Sequence, residues 1–134
     1  MAFLLHSIDG SGHIPGIEYL PCSAITPKVG MALTQTTGNL AIATGTTAPT
    51  YISLVEKSAA VSAGTIIPVM RINKDMIFET TLSASGSSLK RGNKVTLHAS
   101  DGMQVTATTS SGVAEIVDFL TTAQASGDKV RVRF

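Results

Sequence analysis

The chain has 134 residues, 10 Lys and Arg against 9 Asp and Glu, and a hydrophobic fraction of 43%. That length favours one domain able to bury roughly two-thirds of its unfolded surface, and that apolar content excludes a disordered chain. A net charge of +1 is too weak to hold nucleic acid or an anionic membrane by bulk electrostatics, and no apolar run approaches the ~20 residues of a membrane span.

Residues 1–27 read as an irregular N-terminal arm. They hold Gly10, Gly12, Gly16, Pro15 and Pro21, two of the three histidines and the single cysteine, Cys22. The opening MAFLLHSIDG lacks a basic region ahead of its apolar run, so no signal peptide is expected. Phe3, Leu4, Leu5, Ile14, Ile17, Tyr19 and Leu20 are apolar anchors on this segment, which identifies them as candidate contacts with a partner protein. One cysteine excludes an internal disulfide. With no basic neighbour nearer than Lys28, Cys22 has no cause for a depressed pKa and reads as a structural thiol.

Residues 28–134 read as one β domain. Short alternating or β-branched runs predict strands at Met31 to Thr36, Leu40 to Thr44, Tyr51 to Val55, Thr65 to Ile72, Met76 to Leu82, Lys94 to His98, Gln104 to Thr108 and Lys129 to Phe134. In the last, Val130, Val132 and Phe134 alternate with Lys129, Arg131 and Arg133, the period-2 mark of a half-buried strand. Thr37-Gly38-Asn39 and Ser100-Asp101-Gly102 supply turns that tolerate positive φ. Pro68 cannot donate to a ladder, which predicts an edge strand or a bulge there. Val113, Ile116, Val117 and Leu120 fit a helical stripe, with Ser110 or Ser111 as N-cap, and fit a strand equally well.

An internal repeat decides that segment. Gly30 and Gly92, Gly38 and Gly102, Gly64 and Gly127, and Arg71 and Arg133 lie 62, 64, 63 and 62 residues apart. Two related halves follow, about 28–72 and 90–134, and their alignment makes Val113 to Leu120 a strand. The expected fold is all-β, a small barrel or sandwich of eight to nine short strands from two similar halves.

Residues able to carry chemistry are sparse. Asp9, Ser11 and His13 fall within one glycine-rich stretch, but a triad draws its partners from separate elements. The stretch also lacks the Gly-Lys-Ser/Thr ending of a phosphate loop. His6, His13 and His98 are far apart, with no Cys or carboxylate beside them at ligand spacing, so no metal site and no cofactor are expected. Lys90, Arg91 and Lys94 form a basic patch joined by Arg71, Arg131 and Arg133, without the interleaved aromatics that stack single-stranded bases. Glu115 and Asp118 would point to opposite faces of a strand, which leaves no acid/base pair. These residues predict no enzyme.

The strings GNLAIAT, APTYISLVEK, SAGTIIPVMRI and the ending GDKVRVRF resemble the small decoration, or cement, proteins of tailed-bacteriophage heads. The resemblance covers about Lys28 to Phe134 and rests on Gly-turn and Val-x-Arg phrasing. It implies a non-enzymatic virion protein, often a homotrimer, that binds the major capsid protein on the capsid exterior and stabilises the shell. From charge, hydropathy and the lack of aromatics in the basic patch, no nucleic-acid or membrane partner is expected. The 14 Ser and 17 Thr give a weakly charged surface suited to dense packing on a lattice. The N-terminal arm would then clamp a capsid subunit, and deleting Met1 to Pro21 should abolish binding while the domain stays folded. The alternative is a carbohydrate- or small-ligand-binding β-module, which would normally present aromatics in a concave face. A hydrolase built on Ser11 and His13 is a third reading, tested by a serine-reactive probe.

Overall fold

A computed structural model describes residues 2–8 and 14–134. These residues form ten strands and no helix: β1 (Leu4–Ile8), β2 (Ile17–Cys22), β3 (Ala32–Thr36), β4 (Asn39–Ile42), β5 (Tyr51–Ser53), β6 (Thr65–Arg71), β7 (Met76–Thr81), β8 (Lys94–Val95), β9 (Ala114–Phe119) and β10 (Lys129–Arg133). Period-2 patterning does what it predicts in β10, where Val130 and Val132 are buried between more exposed Lys129, Arg131 and Arg133. Thr36 pairs with Asn39, so β3 and β4 join through a two-residue loop, Thr37 and Gly38. Both take positive φ, 47° and 87°, as a turn matched to the right-handed strand twist demands.

Strands β2-β4-β3-β5-β6 close a barrel, and β1-β7-β10-β9-β8 form a second five-stranded sheet. Inside the barrel lie Cys22, Leu33, Leu40, Tyr51, Ile67 and Val69. A larger cluster packs Phe3, Phe78, Leu97, Val105, Ile116 and Val132 with Ala32, Ala43, Ile52 and Met70 from the barrel strands. That shared cluster holds the two units together.

The units repeat bond for bond. Gly30 N–H donates to Ser53 C=O at 2.9 Å, and Gly92 N–H to Ile116 C=O at 2.8 Å. Gly64 N–H donates to Cys22 C=O, as Gly127 N–H does to Leu82 C=O. Ser23 N–H reaches Leu40 C=O and Ser83 N–H reaches Val105 C=O, both at 2.8 Å. Even the parallel link recurs, Cys22 with Leu40 in the barrel and Leu82 with Val105 in the second unit. Leu97 bridges Val105 in turn, so single bridges carry the second sheet round the circuit that the barrel completes with strands.

Four expectations need correction. Residues 1–27 are not irregular throughout, since they supply β1, antiparallel to β7, and β2, antiparallel to β6. Removing Met1 to Pro21 therefore takes away β1 and nearly all of β2 and opens the barrel. Gln104 to Thr108 makes no strand: Val105 forms isolated bridges only, and the Thr106 hydroxyl captures Thr108 N–H at 3.0 Å, a local bond that competes with a ladder. Pro68 lies on no edge, because β6 has β2 on one side and β5 on the other. It is tolerated because β5 ends at Ser53, opposite Val69, and only Leu54 N–H continues the contact, onto Pro68 C=O. Finally, Glu115 pairs with Arg133 and Asp118 with Arg131, with a register shift between them. That bulge brings both carboxylates to the face of the two arginines. Val113 to Leu120 is the strand β9.

Candidate docking face

In the barrel, Tyr19 of β2 pairs with Pro68 of β6, and Pro21 pairs with Ile66. Even-numbered side chains of β2 turn inward to Cys22, so Ile17 and Tyr19 stand on the outer face, Tyr19 with 67% and Ile66 with 57% of their surface exposed. In the second unit, Glu79 of β7 pairs with Arg131 of β10, and Thr81 with Lys129. The repeat therefore superposes Tyr19 on Glu79, Ile66 on Lys129 and Pro68 on Arg131, which sets Arg133 on Met70 and not on Arg71, the residue that the sequence spacing matched to it. One architecture thus carries an apolar outer face on the first unit and a charged one on the second.

The charged face is internally neutralised. Lys129 and Arg131 approach Glu79 at 3.3 and 3.7 Å, and Arg91 holds Asp118 at 2.6 Å. Hydrogen bonding from the Arg91 guanidinium, against a smaller opposing effect of desolvation, keeps the Asp118 carboxyl below its usual range. Arg71 is tied to Glu18 at 3.0 Å and lies over the Tyr51 ring. Arg71, Arg91 and Arg131 of the basic patch thus face carboxylates.

The apolar face has no such partners. Beside it, Leu4, Val29, Leu54 and Met70 line an apolar groove of about 180 Å³ between β1 and the barrel. Leu54 N–H bonds Pro68 C=O and Met70 pairs with Ile17, so groove and face adjoin. Contiguous exposed apolar surface makes this face the candidate interaction site.

Of the seven anchors read from the sequence, Leu4, Ile14, Ile17 and Tyr19 are exposed. Phe3 is 1% exposed and packs edge-on against Phe134, with ring centroids 5.2 Å apart. Leu5 packs on the larger cluster and Leu20 on the barrel interior. Strand alternation explains the split, because neighbours on one strand face opposite ways. Ile66 and Pro68 were not among the contacts read from the sequence; aligning TIIPV with DKVRV would have found them, as an apolar outer row against a charged one.

Other candidate sites do not assemble. Asp9, Ser11 and His13 lie outside the described residues. His98 contacts Asp101 at 3.3 Å, while His6 lines a cavity with Arg91, Asp118 and Arg131. Among the described residues no three His, Cys, Asp or Glu side chains gather as metal ligands. Cys22 is fully buried, and desolvation raises its thiol pKa. A cavity of about 440 Å³ is lined by Lys74, Asp75, Lys94, Glu115, Arg133 and Phe134. Comparison with protein-family models, curated proteins and solved structures finds no match.

Proposed function

We propose that this chain is a non-enzymatic structural protein of a tailed-phage virion, binding the outer surface of the capsid shell through the apolar face of its first unit and stabilising that shell. The observation that carries the reading is the contrast between the two units: Tyr19, Ile66 and Pro68 stand where the sister unit places Glu79, Lys129 and Arg131. A repeat that can carry charge at these positions and carries apolar side chains instead has a surface fitted to burial against protein. Burying a Tyr or Ile side chain yields about 1.5–3 kcal/mol each before association costs, enough for a lattice-bound protein to hold at many equivalent sites. The resemblance of the Gly-turn and Val-x-Arg phrasing to capsid decoration proteins selects a capsid subunit as the partner.

A ligand-binding module is less well supported, since Tyr19 stands on the convex outside of a barrel and the 440 Å³ cavity is lined mainly by charged side chains. The test is coexpression with the major capsid protein encoded with this chain. The chain should sediment with assembled shells and raise their resistance to heat. Shells that sediment without it overturn the proposal.

A further inference from the structure

Strand alternation is broken twice in the second sheet. The β1–β7 register shifts between Leu5 and Ser7, and the β10–β9 register between Arg131 and Val132. Each shift leaves one extra residue, His6 on β1 and Val117 on β9. Leu5 and Ile8 pack on the larger cluster, as do Ile116 and Phe119. His6 with Ser7, and Val117 with Asp118, therefore turn outward as consecutive pairs. Both pairs line one cavity of about 270 Å³, together with Arg91 and Arg131. In the first unit β5 ends at Ser53, the counterpart of Ile116, short of any such bulge.

Ion pairs balance most of the charge around this cavity but leave hydrogen bonds unmade. Asp118 Oδ1 accepts from Arg91 at 2.6 Å and from Phe119 N–H at 3.0 Å. Asp118 Oδ2 accepts none among the described residues, and Arg131 Nη1 lies 4.0 Å from it, beyond hydrogen-bond reach. The Arg131 guanidinium, 3.7 Å from Glu79, donates none among the described residues, and its Nε is closed off from solvent. A donor and an acceptor that face one cavity thus both lack partners, which calls for a bound molecule able to satisfy both. Arg91, Lys129 and Arg131 outnumber Glu79 and Asp118, so that molecule is an anion. We infer that this cavity binds inorganic phosphate. Phosphate oxygens accept from the Arg131 and Arg91 guanidiniums, and the Ser7 hydroxyl and His6 ring can donate from the β1 side. The O–H that phosphate keeps near neutral pH donates to Asp118 Oδ2. Sulfate has no such proton, and a phosphate monoester, with its second pKa at about 6, has mostly lost it. Either would set an anionic oxygen against the carboxylate.

The test uses the purified chain without shells, so its outcome is independent of capsid binding. Sodium phosphate, sodium sulfate and phosphoserine are titrated near neutral pH at constant ionic strength, followed by calorimetry and by amide NMR shifts. Phosphate should bind saturably and move the amides of Ser7, Val117 and Asp118, with sulfate and phosphoserine weaker by about tenfold or more. Arg131→Gln should weaken phosphate binding by about tenfold or more, as loss of a charge-assisted bond implies. Arg91→Gln, at an exposed side chain, keeps the fold intact and should weaken it severalfold. Asp118→Asn offers an N–H in place of the carboxylate oxygen and should bring sulfate close to phosphate. Lys94→Gln, in the other cavity, should bind as the parent does. Absence of saturable phosphate binding, sulfate binding as tightly as phosphate, shifts confined to other residues, or equal loss in Lys94→Gln and Arg131→Gln overturns the inference.

Discussion

Phe3→Ala tests whether the N-terminus belongs to the fold. Phe3 is 1% exposed, its ring lies 5.2 Å from that of Phe134, and its N–H donates to Gly30 C=O at 2.9 Å. Phe134 in turn packs 5.7 Å from Phe78, so truncation opens a cavity in the cluster that joins the two units. A buried Phe→Ala change costs about 3–5 kcal/mol, a large share of the ~5–15 kcal/mol that stabilises a typical domain. With a urea slope near ~2 kcal/mol/M, the midpoint should fall by about 2 M, and the melting temperature by roughly 10–15 °C. Leu4→Ala, one residue on and exposed, serves as control and should change stability by less than about 0.5 kcal/mol. Circular dichroism during urea titration reads both. Equal and small effects of the two substitutions would refute the packing of residues 2–8 against the second unit.

Thr37 sits at φ 47° in the β3–β4 turn, a conformation that β-branched residues resist and asparagine accepts. Thr37→Asn should therefore stabilise the chain by about 0.5–1 kcal/mol, seen as a melting point raised by a few degrees. In acid, Asp118 and Asp128 contribute to the response. Arg91 lowers the Asp118 pKa, and bonds from the Thr121 hydroxyl and Ala125 N–H lower that of Asp128. Because both folded values are depressed, their stabilisation is present above the ordinary carboxylate pKa of ~3.9 and is lost as pH falls through the folded values. The urea midpoint should thus be steady at neutral pH and decline below about pH 4, with Asp128→Asn flattening that decline; an unchanged acid limb in Asp128→Asn contradicts the assignment.

Where one strand face meets water, the sequence was legible. Lys129 to Arg133 alternates, and the turn at Thr37-Gly38 announces its hairpin. The Gly30/Gly92 and Gly64/Gly127 spacings disclosed a repeat whose hydrogen bonds coincide. Failures came where alternation was masked. Along β2, Ile17, Tyr19 and Pro21 are apolar outside while Leu20 and Cys22 are apolar inside, so no period-2 signal survives, and the flanking Gly and Pro made the segment look irregular. The bulge in β9 is set by cross-strand register, which no local pattern encodes, and it moved Asp118 to the face of Glu115. For the candidate face, single residues were legible and their grouping was not: Leu4, Ile17 and Tyr19 stood out as anchors, whereas Ile66 and Pro68 gain meaning only opposite Lys129 and Arg131 of the sister unit.

We propose that the outer face of the first unit, and not that of the second, is a protein-docking surface. Quantitative sedimentation with shells of the cognate major capsid protein tests it directly, comparing the parent chain, the Tyr19→Glu, Ile66→Lys, Pro68→Arg combination and Lys129→Gln. Each charge introduced at a buried contact without a partner costs several kcal/mol. The combination should lose binding by at least a hundredfold while remaining folded, and Lys129→Gln should bind as the parent does. Undiminished binding by the folded combination would contradict it.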